Sequence, residues 1–194
     1  MKKAYSSLVA FLILASCSFD SDETVIRKEF KIPFSAQLAF FKAKPEQSGW
    51  FGREGLKIDA HFQFNQEDFE EYLADANQSN QWLPLPIPND FLMKMLRIKY
   101  HKQGIINSYK EENRPLPEEG SVYNPTEEQL FESRVKIIPV TGPNGIFILK
   151  SAGHDIMRMP KTTHVKLDKE LNDFMIGILD FDQKKLFVKV STGY

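Results

Sequence analysis

The chemistry this sequence could offer lies mainly in four histidines: His61, His101, His154 and His164. His154 is followed directly by Asp155, and Arg158 stands four residues beyond it. An imidazole beside a carboxylate suits general acid–base work, and in a helix the four-residue step would bring Arg158 to the same face. With His164 as a second imidazole, His154 and Asp155 form the candidate hydrolytic site of the chain. Asp59 and His61 are two apart in an alternating stretch and therefore share one face, a candidate ligand pair. A metal needs three or four converging ligands, and no HExxH pair is present. No metal and no cofactor is therefore expected. Asp180-Phe181-Asp182 begins like a calcium loop, but Lys185 and Ser191 stand where such a loop needs Gly and Glu. The sequence contains no P-loop, dinucleotide fingerprint or GxSxG elbow.

Two further segments could contact a ligand or partner. Trp50-Phe51-Gly52-Arg53-Glu54-Gly55 sets two charges between glycines, behind two large aromatic rings. Trp50, Arg53 and Glu54 are its candidate binding residues, because glycine lets a partner approach the backbone closely. The plainer alternative is a turn entering the next strand. Trp82 to Pro88 alternates prolines with Leu83, Leu85 and Ile87. It must be extended, and it reads as a cover for the core more readily than as a proline-rich ligand.

The sole cysteine, Cys17, has a more specific setting. Lys2 and Lys3 precede the apolar run Leu8 to Ala15, the layout of a secretory signal. That run gives only about 12 Å of helix, against a bilayer core of about 30 Å, so it is too short for a transmembrane anchor. Leu14-Ala15-Ser16-Cys17 resembles the lipobox of bacterial lipoproteins. In that family the cysteine sulfur receives a diacylglycerol, the peptide bond before it is cut, and the new amino group is usually acylated, palmitate being a typical acyl group. The resemblance covers residues 1–17 alone. It implies lipidation of Cys17 and a membrane partner, since several acyl chains give stable attachment. Ser18 resembles the outer-membrane sorting pattern of enteric-type lipoproteins, while the acidic Ser18 to Thr24 stretch resembles a surface-export signal of other lineages.

Composition narrows the remainder. Processing before Cys17 would remove two of the 25 basic residues, leaving 23 against 26 acidic ones. Such a balance disfavours nucleic-acid binding. With Cys17 lipidated there is no disulfide, and stability must come from the hydrophobic core, which a chain of this length supplies.

The elements that would position these residues follow from periodicity. Ile26, Phe30, Ile32 and Phe34 suggest a strand near 26–34, and 42–55 reads as a glycine- and proline-marked loop. Leu56 to Phe64 alternates cleanly as a strand, with Lys57, Asp59, His61 and Gln63 on its polar face. Asn65 caps a helix to about Asn77, and a short helix runs from Asn89 or Asp90 to about Ile98. Residues 99–127 read as a long polar loop with at most a short strand near Gly104 to Tyr109. Thr126 caps a helical turn over Glu127 to Glu132. Val135 to Val140 and Ile146 to Ser151 flank a hairpin-like turn, and Leu167 to Phe174 suggests a short helix. Phe174 to Leu179, apolar at both parities, reads as a central strand, and a final strand carries Leu186, Val188 and Val190.

The expected fold is α+β, a mostly antiparallel sheet with a few short helices in a single domain. The expected organisation is a cleaved signal over 1–16, the lipidated cysteine and an acidic tether over 17–24, and one globular domain over 25–194. The expected function is that of a non-enzymatic, lipid-anchored bacterial envelope protein on the exported side. The outer membrane is its expected site if the organism is Gram-negative. Its partner would be an envelope protein or cell-wall component. The alternative is an envelope hydrolase using a His/Asp or metal site.

Overall fold

The computed structural model describes residues 20–46, 55–139, 141–151, 163–164 and 173–193. Along the chain these form α1 (Asp22–Phe30), β1 (Gln37–Glu46), β2 (Gly55–Gln63), α2 (Gln66–Gln78), β3 (Leu83–Pro84), α3 (Asn89–Met95), α4 (Ile98–Glu111), α5 (Glu127–Val135), β4 (Gly145–Ser151), β5 (Thr163–His164), β6 (Phe174–Asp180) and β7 (Lys185–Gly193). The strands make one antiparallel sheet in the order β1-β2-β7-β6-β4-β3, with β5 also pairing on β4. The fold is α+β, as the residue pattern implies.

The sheet has two faces with separate cores. Ile58, Ala60 and Phe62 of β2, Leu186, Val188 and Val190 of β7, and Met175 and Leu179 of β6 point to one face, where α1 and α2 cover them. Phe147 and Leu149 of β4, Phe174, Ile176 and Ile178 of β6, and Phe187 of β7 point to the other, against α3 and the segments around α5. Every residue of β6 is buried, so both its parities are apolar. Each large side chain enclosed in this way is worth about 1.5–3 kcal/mol.

The α1 helix replaces the strand expected over 26–34. Ile26 and Phe30 stand one helical turn apart, which fits an alternating pattern equally well. The end signals decide the matter. The Ser21 side chain accepts from the Thr24 amide, acidic Asp22 and Glu23 occupy the first turn, and Arg27 and Lys28 the last. Asp22, Glu23 and Thr24, read from sequence as tether, belong to this helix.

Arg27, only 8 % exposed, clamps α1 to the chain that follows. It donates to Glu23 and to the carbonyls of Pro33 and Ala36 at 2.7–3.0 Å, and lies over the Phe62 ring. The Tyr72 hydroxyl of α2 donates to the Phe30 carbonyl at 2.7 Å, closing the end of α1, and burial pushes that phenol above its ordinary pKa.

Three more expectations are corrected. The loop assigned to 42–55 is largely strand, because β1 continues through Pro45 to Glu46; β1 is an edge, where proline is tolerated. The polar stretch after Ile98 opens not as loop or strand but as α4, which carries Gly104 internally at a cost of about 1 kcal/mol, and residues 112–126 beyond it are loop, as read from the sequence. Of the hairpin strand expected over Val135 to Val140, the described residues 135–139 form the end of a helix and a turn instead. The Thr126–Gln129 capping box extends α5 to Val135, and β4 pairs instead with β6 and β3. The suggested helix over 167–174 falls mostly outside the described residues.

Gly177, in the middle of β6, seats α1. A Cβ there would lie 2.5 Å from the Phe30 ring, so the ring occupies the space that any side chain would need. Gly177→Ala is expected to displace Phe30 and destabilise the protein by about 1–3 kcal/mol through overpacking, measured by urea denaturation. An unchanged midpoint would show that Phe30 does not depend on that seat.

Candidate binding surface

The second face of the sheet is covered only in part. The helices on that side pack over β4, β6 and Phe187 of β7, and no residue of β1 or β2 belongs to that core. The strand register places the side chains of the open half. On β1, Phe40, Lys42 and Lys44 stand opposite His61, Asp59 and Lys57 of β2. Asp59, His61 and Gln63 in turn stand opposite Lys189, Phe187 and Lys185 of β7. A bulge between Leu38 and Phe40 shifts the parity of β1 and turns Phe40 to this side. Five lysines therefore share one floor with Asp59, and the register sets Glu46, opposite Gly55, at the same parity.

At the centre of the floor Asp59 accepts from Lys189 and lies 3.0 Å from the His61 Nε2. The His61 ring packs between Phe40 and Phe187, each at 4.8 Å between centroids. Phe40 is 41 % exposed, so an aromatic surface sits among the lysines. Lys44 and Lys57 face each other directly, a like-charge pair that weakens strand pairing.

The helices form a wall beside this floor. The wall begins at Arg97, whose left-handed backbone (φ 54°) separates α3 from α4. Its guanidinium lies 3.8 Å over the Tyr100 ring, and its Nε is buried without a hydrogen-bond partner among the described residues. Burial holds the His101 imidazole below its ordinary pKa, reinforced by the positive charges of Arg134, Arg97 and Lys57. That influence of Lys57, a floor residue, shows how near β2 the wall stands.

A second surface lies between α4 and α5. Lys102, its side chain 12 % exposed, pairs with Glu119 at 3.0 Å and donates to Asn124 Oδ1 at 2.7 Å and the Pro125 carbonyl at 2.8 Å. Asn124, itself buried, donates to the Pro117 carbonyl at 2.7 Å, and its own carbonyl accepts from the Gly120 amide. The loop so fixed displays Val122 and Tyr123, 90 % and 71 % exposed.

A cavity of about 70 Å³ opens where α1, α2 and β4 meet, lined by Glu29, Phe30, Tyr72, Trp82 and Lys150 among others. Lys150 is held below its ordinary pKa by burial, with Glu29 acting in the opposite sense. It donates to the Glu29 carbonyl, pairs with the Glu29 carboxylate at 3.4 Å and lies over the Phe30 ring. A space of that size holds a few waters and falls well below an ordinary ligand pocket. Lys150 serves to fasten the end of α1.

Of the residues singled out in the sequence, Cys17, Trp50, Arg53, Glu54, His154 and Asp155 lie outside the described residues. His164 falls on β5, its backbone opposite Lys150. The Asp59–His61 pair meets as expected but is completed by a lysine rather than a third ligand, and no metal-ligating cluster occurs among the described residues. Trp82–Pro88 lies along the core, with Trp82 edge-on to Tyr72 and Leu85 and Ile87 half-buried. Comparison with protein families, curated proteins and solved structures found no match for this chain.

His101 makes stability depend on pH. An unfolded chain protonates this residue near pH 6.5, whereas the folded protein resists. As pH falls through about 6.5 the unfolded state binds more protons and stability declines. His101→Gln should lessen that acid-side loss, seen as a smaller drop in urea midpoint between about pH 7 and about pH 5; an equal drop would remove His101 as its source. Asn124→Ala should cost about 1–3 kcal/mol and lower Tm by a few degrees, with faster hydrogen exchange at the Gly120 amide; unaltered exchange would show that Asn124 does not fix the loop.

Proposed function

We propose that this chain is a lipid-anchored binding protein of a bacterial envelope. On this reading it is held by acyl chains on Cys17 at the exported side of a membrane, which is the outer membrane in a Gram-negative organism. The observation that carries the binding role is the open cationic half of the sheet. Lys42, Lys44 and Lys57 are exposed there, beside the half-exposed Phe40 ring, while Lys185 and Lys189 are half-buried. Exposed lysines beside an accessible aromatic ring suit a partner that offers carboxylates and an apolar side chain. The lipobox-like Leu14-Ala15-Ser16-Cys17 supports the anchor. No described helix is long and apolar enough to cross a membrane. The partner is an envelope protein or cell-wall component.

The anchor is tested by metabolic labelling with radioactive palmitate in a bacterial host. The chain should incorporate label and sediment with membranes. Cys17→Ala should do neither, and retention of both by that variant would reject the anchor.

A further inference from the structure

We infer that the outer edge of β1 is the seat for an extended segment of a partner protein, one that alternates apolar and acidic residues and pairs antiparallel as an added strand. This deepens the reading of the chain as a binding protein and rests on it. β1 is the end strand of the sheet, and no described strand lies beyond it. The direction of its free backbone groups follows from β2. The Leu56 amide donates to Thr192 Oγ1 at 2.8 Å, and just past the strand the Phe64 amide donates to the Lys184 carbonyl at 3.0 Å, both toward β7. Leu56, Ile58, Ala60 and Phe62 therefore point their N–H and C=O groups at β7, and Lys57, Asp59 and His61 point theirs at β1. Phe40, Lys42 and Lys44, opposite these last three, are the β1 residues that exchange hydrogen bonds with β2. Phe41 and Ala43, opposite Ala60 and Ile58, turn their N–H and C=O groups outward. Pro45, opposite Leu56, obeys the same rule, since a proline facing β2 would break the ladder.

The two faces of that edge specify the side chains of the guest. Phe41 shares a face with the buried Ile58 and Ala60, yet is 37 % exposed, and Ala43 beside it is exposed. A guest residue opposite either would be apolar and would continue the first core outward. On the other face Lys42 and Lys44 are exposed, next to the half-exposed Phe40 ring. Guest positions opposite these lysines fall in non-hydrogen-bonded pairs, where side chains stand closest, so a carboxylate there meets an ammonium directly. Asp59, opposite Lys42 on the inner side, is engaged by Lys189 and His61. Glu46 lies two residues beyond Lys44 at the same parity, which centres the acidic preference on Lys42. Lysines guard an edge against copies of itself: a two-fold pair centred on Lys42 or Ala43 would set lysine against lysine. They do not guard it against an acidic strand, and the exposed Phe40 and Phe41 rings give such a strand apolar surface to bury.

The test uses the full chain with Cys17→Ala, so that membrane attachment plays no part. Backbone NMR would follow the addition of a synthetic peptide that alternates glutamate and valine. Amide shifts should move at Phe41 and Ala43, and hydrogen exchange at those two amides should slow. The Lys42 and Lys44 amides, already bonded to β2, should keep their exchange rates. N-methylation of the peptide's valines, whose N–H groups face β1, should abolish binding. N-methylation of its glutamates, whose N–H groups face away, should preserve it. Ala43→Pro removes an outward N–H from a strand that already carries Pro45, and should weaken binding about tenfold. Lys42→Glu with Lys44→Glu should reverse the preference, toward a peptide with lysine in place of glutamate. A far-UV spectrum checks that each variant is folded.

Undiminished binding of the valine-methylated peptide would overturn the inference, as would equal binding of a peptide with glutamine for glutamate. Shifts at Phe41 and Ala43 that grow with protein concentration in the absence of peptide would overturn it too, because a second copy would then hold the edge. Shifts confined to β2, with Phe41 and Ala43 unmoved, would reject strand addition while leaving the binding surface in place. None of these outcomes bears on the palmitate experiment, so the edge and the lipid anchor fail separately.

Discussion

The β6 strand must be dry on both sides, and the arrangement of the rest follows from that constraint. With every position of Phe174–Asp180 buried, each face of the sheet needs a cover. The first cover is α1 and α2, fastened by the Arg27 clamp and by the fit of Phe30 over Gly177. The second is made from the short helices between β3 and β4 and from the Trp82–Pro88 strap. It reaches only as far as Phe187. The strands beyond it solve the problem by composition, presenting lysine, aspartate and glutamine where β6 presents isoleucine.

The resulting charge distribution is uneven in a chain that is nearly neutral. Helix α2, on the first face, carries Glu67, Asp68, Glu70, Glu71 and Asp75 and no basic residue. The open half of the second face carries the lysines. A surface with an excess of one sign steers oppositely charged partners and raises encounter rates. It is also a cost to the isolated fold, since Lys44 and Lys57 are placed directly opposite each other.

Much of this was legible in the residues. The polar faces of β2 and β7 stood out in their alternation, the cap of α2 at Asn65 was visible, and the double-sided burial of β6 could be read from its unbroken apolar run. What could not be read was the adjacency of β2 and β7, which are separated by most of the chain. Without that pairing the lysines are five scattered surface charges. The β1 half of the floor was hidden for a different reason: Pro45 reads as a loop signal unless the strand is known to be an edge. The helix α4 was obscured by Gly104 and by its polarity, because a helix that buries little leaves a faint periodicity. The fixed loop beyond it depends on Lys102 reaching Asn124, a contact no spacing rule reports.

The position of β7 has a consequence for how the protein is made. This strand is the last of those described, yet it lies between β2 and β6, so among the described strands the β1–β2 hairpin joins the later ones through it. The sheet cannot close before Lys185–Gly193 have left the ribosome, and until β6 is made α1 has no Gly177 to dock on. Early domains of many proteins fold while their remainder is still being synthesised. Here the sheet cannot close by parts, because β1 and β2 stay apart from β4 and β6 until β7 is inserted between them.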